Sequence, residues 1–244
     1  MRGGPPSPPP MFLYGYHPVR EALRHRPHEV ARVLVSASRA GKRRDEIEDL
    51  CARHRVAYQR VPEKTLSEIA GAAHNGMAAE VREAPGAAAE RTGGDLELVV
   101  LLEDVQDPRN LGALLRVCEG AGVGRVLIRD RGSAPVSPTV AKTSAGASEW
   151  LDVERITNSG NEIERLKEEG YWVYGTDAAG DPPWDVDLSG KVVLCFGGEE
   201  KGLRARTRQL CDRMIGLPMR GRVDSLNIAT AAAAVLYDAV RQRS

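Results

Sequence analysis

From residue 84 to residue 244 the chain contains no histidine; all five, His17, His25, His28, His54 and His74, precede that point. A Ser-His-acid or Cys-His arrangement inside the longer part of the chain is thereby excluded, and so is a histidine-ligated metal. Cysteine is equally sparse. Cys51, Cys118, Cys195 and Cys211 stand singly, with no C-x-x-C spacing to hold zinc, and read as isolated core thiols. Only carboxylates remain as hard ligands, and they show no ligand spacing, so no metal is expected. No run of about 18 apolar residues is present, and the start MRGGPPSPPPMFLYGYHP has no apolar signal region. A cytoplasmic protein without a membrane partner is the expectation. Neither a G-x-x-x-x-G-K-S/T loop nor a G-x-G-x-x-G loop after a strand occurs; GAGVG at 120–124 follows a helix pattern and precedes a strand pattern, the wrong order for a dinucleotide loop. Net charge is also absent, at +0 overall. Its distribution is uneven: residues 1–83 carry 14 Lys or Arg against 10 Asp or Glu, and residues 84–244 carry 20 against 24.

What is present divides into two parts. Residues 1–11, rich in Pro and Gly, read as a tail without regular structure. Residues 12–83 alternate helix and strand patterns: a helix over 18–24, a strand over 30–36, a helix over 42–54 with Ile47, Leu50 and Cys51 on one face, a strand over 56–61, a short helix from 63, and a closing strand over 76–82. PGAAAERTGGD, within residues 84–95, has the composition of a connector. Residues 96–244 then give continuous Val/Leu/Ile runs at 96–103, 125–130, 171–177, 191–197 and 213–219, separated by helix patterns at 111–119, 138–147, 161–168, 203–209 and 226–241. This is the pattern of an α/β domain with a mostly parallel sheet covered on both faces.

In such sheets ligands sit beyond the carboxyl ends of the strands. Three strand ends are rich in polar residues. After the first, Asn110 reads as the N-cap of a helix with Leu111, Leu114, Leu115 and Cys118 as its apolar stripe, and Arg116 points to a different face. Two readings stand: a cap plus a solvated arginine, or a pair facing the crevice, where a guanidinium grips phosphate through its fork of donors. After the fourth, Gly197, Gly198 and Gly202 let the chain turn tightly around Glu199 and Glu200, as a surface turn or a ligand loop. After the fifth, RGRVDSLN leads into an apolar helix; Asp224 or Ser225 serves as its cap, which leaves Asn227 unexplained. A set of Asn, Arg, Glu, Ser and Asn spread over three strand ends suits positioning, phosphate contact and proton removal rather than covalent catalysis.

NLGALLR (110–116), FGGEEKGL (196–203) and LPMRGRVDSLNIATAAAAVLY (217–237) resemble, in order and approximate spacing, the three signature motifs of the SpoU or TrmH family of RNA 2′-O-ribose methyltransferases, in the SPOUT superfamily. SAPVSPTVAKTSAGASE (133–149) also resembles the family pattern between motifs one and two. YGYHPVREAL and HNGMAAEV resemble the small substrate-binding domain, similar to the L30e fold, of the branch that methylates a guanosine of large-subunit ribosomal RNA. The likeness covers roughly residues 12–243.

The resemblance implies a SPOUT-type sheet with a C-terminal deep trefoil knot and S-adenosylmethionine as cofactor. It places cofactor contacts at Gly197, Gly198, Glu199, Leu217, Met219, Gly221 and Leu226, and catalytic roles at Asn110, Arg116, Glu199, Ser225 and Asn227. Arg116 would accept the hydroxyl proton or hold RNA phosphate; Asn110, Ser225 and Asn227 would orient it, the ribose and the loops; Glu199 would fix the Gly-rich loop or a substrate group. A homodimer is implied as well. Arg20, Arg24, Arg39, Lys42, Arg43 and Arg44 are candidates for RNA phosphate contact, or equally a solvated charged surface. Relatives acting on transfer RNA, or on another ribosomal RNA nucleotide as resistance enzymes, share these motifs, and a silent RNA-binding module on the same scaffold is the alternative of a different class. Departures from the family pattern are Glu200 where many relatives have glycine, Gly198 where Asn or Ala is frequent, and His74-Asn75-Gly76 in place of His-Gln-Gly.

Overall fold

A computed structural model describes residues 11–38, 40–82 and 95–244, so the expected tail over residues 1–10, most of the connector and Arg39 lie outside the described residues. The rest forms two compact units, one within Met1–Ala84 and one within Pro85–Ser244.

In the first unit, β1 (Met11–Tyr14), α1 (Tyr16–His25), β2 (Val30–Ser36), α2 (Lys42–His54), β3 (Ala57–Val61), α3 (Glu63–Ala70) and β4 (Met77–Val81) follow in order. The sheet runs β1-β4-β2-β3, with β2 parallel to β3 and antiparallel to β4. Sequence reading left β1 out and assigned Met11 to the tail. Its backbone pairs with Val81, and at four residues the strand is too short to show a period. The apolar face of α2 is as expected, with Ile47, Leu50 and Cys51 buried.

The second unit is a wholly parallel sheet. β5 (Asp95–Glu103), α4 (Pro108–Gly120), β6 (Val123–Arg129), α5 (Pro138–Thr143), β7 (Val153–Ile156), α6 (Ser159–Glu168), β8 (Trp172–Asp181), β9 (Val192–Gly197), α7 (Ala205–Leu210), β10 (Arg213–Ile215) and α8 (Ile228–Gln242) follow along the chain. The strand order is β10-β8-β9-β5-β6-β7, every neighbouring pair parallel. Because side chains alternate across a sheet, each central strand feeds two cores. Leu98, Val100 and Leu102 of β5 face one core with α4 and α8, while Val99 and Leu101 face the other with Ile163 and Leu166 of α6. This is why the central strands read as unbroken apolar runs.

Three local expectations are corrected, and one strand is added. Asp107, not Asn110, caps α4: its Oδ1 accepts from the Arg109 N–H at 2.7 Å, and Pro108 occupies the first helical position, where its missing N–H leaves nothing unpaired. Asn110 is thereby freed from capping. The final strand stops at Ile215 rather than Met219: its partner β8 ends at Asp181, whose carbonyl accepts the Gly216 N–H at 2.8 Å, and Pro218 has no N–H to extend a ladder. α5 ends at Thr143, four residues early, where Ala145 and Gly146 take positive φ values of 55° and 88°. β7 is a four-residue edge strand with no readable alternation.

Around β10 the backbone is crowded. A Cβ on Gly180 would lie 2.4 Å from the Ile215 carbonyl carbon, and one on Gly216 would lie 2.1 Å from the Asp177 carbonyl oxygen. Only glycine lets the segment leaving β10 run against the end of β8 this closely.

Candidate active site

Residues of β8, the carboxyl ends of β9 and β10, the segments that follow them and the N-terminal part of α8 line one cavity of about 490 Å³. Its glycine-rich wall follows β9. Gly197 pairs in register with Glu103 of β5, the Gly202 N–H donates to the Gly198 carbonyl at 2.8 Å, and the returning chain lies flat against the loop. A Cβ on Gly197 would fall 2.0 Å from the Gly202 carbonyl carbon, and one on Gly198 would fall 2.3 Å from the Asp104 carbonyl oxygen. Phe196, Ile215, Leu217, Met219 and Leu226 supply apolar surface. Among the described residues, the charged ones lining the cavity are Asp177, Glu199 and Asp224, without a lysine or arginine. The Asp177 carboxyl is held below the usual carboxylate range, chiefly by its hydrogen bond from Arg208 and then by the Ala179 N–H, so it stays ionised as the partner of the Arg208 guanidinium.

At the rim, three distant parts of the chain are joined by side-chain hydrogen bonds. Asn110 of α4 donates from Nδ2 to Oε1 of Glu199, in the β9 loop. Asn227 donates from its own Nδ2 to Oδ1 of Asn110 at 3.0 Å, and its Oδ1 accepts from the Ala229 N–H at 2.9 Å, which caps α8. Asn227 is therefore the cap that sequence reading gave to Asp224 or Ser225. One amide does two tasks, because a carboxamide has a donor end and an acceptor end.

Asn227→Ala is expected to lose the cap, at a cost of about 1 kcal/mol in stability, together with the link to Asn110. Asn227→Asp keeps an acceptor for the helix and has no donor for Asn110, so it should retain the melting temperature and lose at least about tenfold in the methyl transfer that the motif resemblance implies. Thermal denaturation and turnover measured on both proteins check this; equal activities for wild type and Asn227→Asp would remove the relay from the mechanism.

The structure brings together most of the residues singled out from the sequence. Gly197, Gly198, Glu199, Leu217, Met219, Ser225, Leu226 and Asn227 line the cavity. Asn110 joins through its hydrogen bonds. Gly221 does not line the cavity and is exposed. Arg116 is exposed on α4, six residues past Asn110, which on a helix is about 9 Å of rise and a third of a turn away. Among the described residues its guanidinium has no hydrogen-bond partner. Sequence reading missed Asp177 and Thr176, which line the cavity from β8. The strand-end rule applied to YWVYGTD marks that position, which has no adjacent glycine pair of the kind found after β9.

In the first unit, Arg20 and Arg43 lie over the Tyr16 ring at 5.3 and 5.0 Å, and the Tyr16 hydroxyl donates to Glu46. Arg24 pairs with Glu46 at 2.8 Å, Arg20 with Glu21 at 2.5 Å and Arg44 with Asp45 at 2.6 Å. Acidic neighbours thus compensate much of this basic surface; among the described residues exposed Arg43 has the Tyr16 ring in place of a carboxylate, and exposed Lys42 has neither.

Among the described residues no group of three or more His, Cys, Asp or Glu side chains could hold a metal ion, and no helix is long and apolar enough to cross a membrane.

A parallel sheet with a glycine-walled cavity at its strand ends, lined by carboxylates and rimmed by Asn, Glu and Ser, defines an α/β protein that binds a small ligand beyond its strands. Comparison with known proteins specifies it. Residues 97–237 match the SpoU rRNA Methylase family and residues 12–86 match the RNA 2′-O ribose methyltransferase substrate binding family. The chain is 37% identical over 240 residues to the 23S rRNA (guanosine-2′-O-)-methyltransferase RlmB of Xanthomonas axonopodis, covering 95% of this chain and 96% of that protein. It is 35% identical over 246 residues to the enzyme of the same name from Pseudomonas putida, with the same coverage of 95% and 96%. Among solved structures, the SpoU methyltransferase AviRb from Streptomyces viridochromogenes, in complex with S-adenosylmethionine, superimposes with a TM-score of 0.80 at 26% identity, over 96% of this chain and 90% of that one. The chain belongs to the SpoU rRNA methylase family and is an S-adenosylmethionine-dependent RNA methyltransferase.

Proposed function

We propose that this chain methylates the ribose 2′-hydroxyl of a guanosine in 23S ribosomal RNA, the activity named for its relatives from X. axonopodis and P. putida. The observation that carries the assignment of the site is the Glu199–Asn110–Asn227 relay, which ties all three motifs to the rim of the cavity.

The cavity suits the cofactor. A sulfonium and an ammonium group carry positive charge, and the charged lining is carboxylate throughout. Gly197, Gly198 and Leu217 offer backbone groups, and Phe196, Ile215, Met219 and Leu226 offer apolar surface for an adenine ring. When bound, S-adenosylmethionine supplies an electrophilic methyl group. The protein has three tasks. Asn110 and Asn227 hold Glu199 in place; one Glu199 oxygen is taken by Asn110, and the other has no donor among the described residues and is available to the ribose hydroxyl. Ser225, exposed beside Asn227, offers a hydroxyl to the same ribose. Arg116, donor-only and ionised, binds the adjacent RNA phosphate and keeps the reacting nucleotide in register. The free Glu199 oxygen would take the hydroxyl proton as the ribose oxygen takes the methyl group, and the electron pair of the broken methyl–sulfur bond would stay on the departing thioether. Positioning and electrostatics of this kind are sufficient for a large rate enhancement without a covalent intermediate.

A trefoil knot in the second unit is part of this proposal, supported by the tight passage of Gly216 against Asp177 and of Gly180 against Ile215. A homodimer is proposed as well. Val223 and Tyr237, within motif three, are 67% and 52% exposed, large apolar side chains that a second copy would cover. Sedimentation equilibrium should give twice the mass of the chain; a monomer at micromolar concentration would remove the dimer.

Of the first unit's basic residues, Lys42 is the best placed for phosphate, since its charge is unpaired, while Arg20, Arg24, Arg43 and Arg44 exchange their present partners on contact with RNA. Transfer of a tritiated methyl group to purified 23S ribosomal RNA and to bulk transfer RNA, followed by mapping of the modified ribose, tests the assignment. Label at one guanosine of 23S RNA is expected. Label in transfer RNA, or at another base, overturns the proposed target; cofactor binding without incorporation into either RNA indicates a silent RNA-binding module.

A further inference from the structure

Glu103, the last residue of β5, is 1% exposed and takes no part in the relay described above. Both of its carboxylate oxygens are committed to the far side of the glycine-rich loop. Oε2 accepts from the Arg204 backbone N–H at 3.1 Å, and Oε1 accepts from the Thr207 hydroxyl at 2.8 Å. Thr207 is itself only 2% exposed. Glu103 also stands in parallel register beside Gly197, where the loop begins. One side chain therefore meets both ends of the segment: its backbone pairs with the start and its carboxylate holds the return. The neighbouring Asp104 reinforces the hold from outside, accepting Nε and Nη2 of Arg204 at 2.9 and 3.1 Å. Between these ends lie Gly197, Gly198 and Glu199, which line the cavity.

We infer that Glu103 is a positioning residue for the cofactor: by stapling Arg204 and Thr207 to the end of β5 it sets the height at which Gly197–Glu199 meet the ligand. Burial of a carboxylate is costly unless it is fully hydrogen-bonded, and a site for a bound ligand must be fixed to within about 0.5 Å by the groups behind it. Here the cost is offset by two donors with no other acceptor within the loop. Glu103 touches neither cofactor nor RNA in this scheme; it acts through the loop. The inference rests on reading the cavity as the S-adenosylmethionine site.

Hydrogen-bond polarity supplies the test. In Glu103→Gln the amide oxygen accepts from the Arg204 N–H, while the amide NH₂ donates to the Thr207 hydroxyl, which reverses its role. The staple survives, and the Kd for S-adenosylmethionine by calorimetry should stay within about threefold of wild type. Glu103→Met, of similar length, leaves both donors without an acceptor and should weaken binding by roughly tenfold or more, with KM for RNA unchanged. If Glu103→Met does not fold, Thr207→Val removes one of the two bonds at constant volume and should weaken binding by about threefold to tenfold.

A purely architectural role would lower the melting temperature and leave Kd alone; that result for either apolar variant overturns the inference, as does a Glu103→Gln protein that binds as poorly as Glu103→Met. Failure of the wild-type protein itself to bind S-adenosylmethionine would refute the reading of the cavity instead, so the two failures are distinguishable.

Discussion

Arg116→Ala is expected to lower kcat for methyl transfer by roughly two to three orders of magnitude while the Kd for S-adenosylmethionine stays within about twofold. The reasoning is geometric. Arg116 is exposed on α4 and does not line the cavity, so its removal takes nothing from the cofactor's surroundings. Its guanidinium has no acceptor among the described residues, which leaves all five donors for an incoming phosphate. A nucleotide whose phosphate is ungripped still reaches the rim, but its 2′-hydroxyl samples many orientations, and loss of a near-attack geometry is read in turnover. Arg116→Lys should recover only part of the loss, because an ammonium is a point charge that cannot hold two phosphate oxygens in a plane. Single-turnover transfer and calorimetry on the same preparations check both statements. Near-normal transfer by Arg116→Ala would remove this residue from the mechanism, and a parallel loss of cofactor affinity would move it into the cavity.

Gly197→Ala should have an effect of similar size by a different route: loss of S-adenosylmethionine binding by more than about a hundredfold, with a destabilisation of about 3 kcal/mol. The added Cβ would sit 2.0 Å from the Gly202 carbonyl carbon, 2.2 Å from the Leu203 nitrogen and 2.3 Å from the Gly202 oxygen. All three obstacles are backbone, so no side chain can rotate out of the way. They are also pinned, by the Gly202 N–H to Gly198 and by Glu103 to Arg204. The loop must therefore open at the wall that faces the ligand. Gly221→Ala is the control: its Cβ would meet nothing within 4 Å, so the fold should be unaffected and any loss of binding there reports a direct ligand contact. Calorimetric titration and thermal melts of both variants decide the point; a Gly197→Ala protein that binds normally would show that the loop has another way to close.

Asn110 and Asn227 show how far the sequence could be read. Both stand out as polar residues at strand ends, and the rule that a polar residue before an apolar helix is its cap gives Asn110 a local role and leaves Asn227, behind Asp224 and Ser225, with none. The rule misplaced both caps. At α4 the chain had a better cap three residues earlier, Asp107 followed by proline; at α8 the helix begins two residues later than its apolar pattern suggests, so that Asn227 rather than Ser225 meets the first free N–H groups. Capping is a competition among neighbours a few residues apart, and periodicity locates a helix start only to within about that distance. The order of the three motifs, by contrast, could be read in full, because each is a contiguous stretch whose residue types are constrained together.

Asp177 and Glu103 mark the other boundary. Each ends a strand that was predicted, and neither carried a glycine cluster to draw attention to it. Their significance depends on which strands lie side by side. The order β10-β8-β9-β5-β6-β7 puts the ends of β8 and β5 on either side of β9, and that order follows from crossovers that leave no trace in local composition.

The sequence by itself determined the two-part organisation, the alternation of apolar strands with amphipathic helices, the exclusion of histidine chemistry from the second unit, and the identity of the motif residues. These are properties of side chains and of spacing along one chain, and they survive without coordinates. Only the tertiary structure decided that Glu199, Asn110 and Asn227 touch, that Arg116 stands apart from the cavity, and that Glu103 closes the glycine-rich loop. The contacting residues are 89, 117 and about 100 positions apart. At such separations a hydrogen bond depends on the packing of the whole sheet, which a local pattern does not encode.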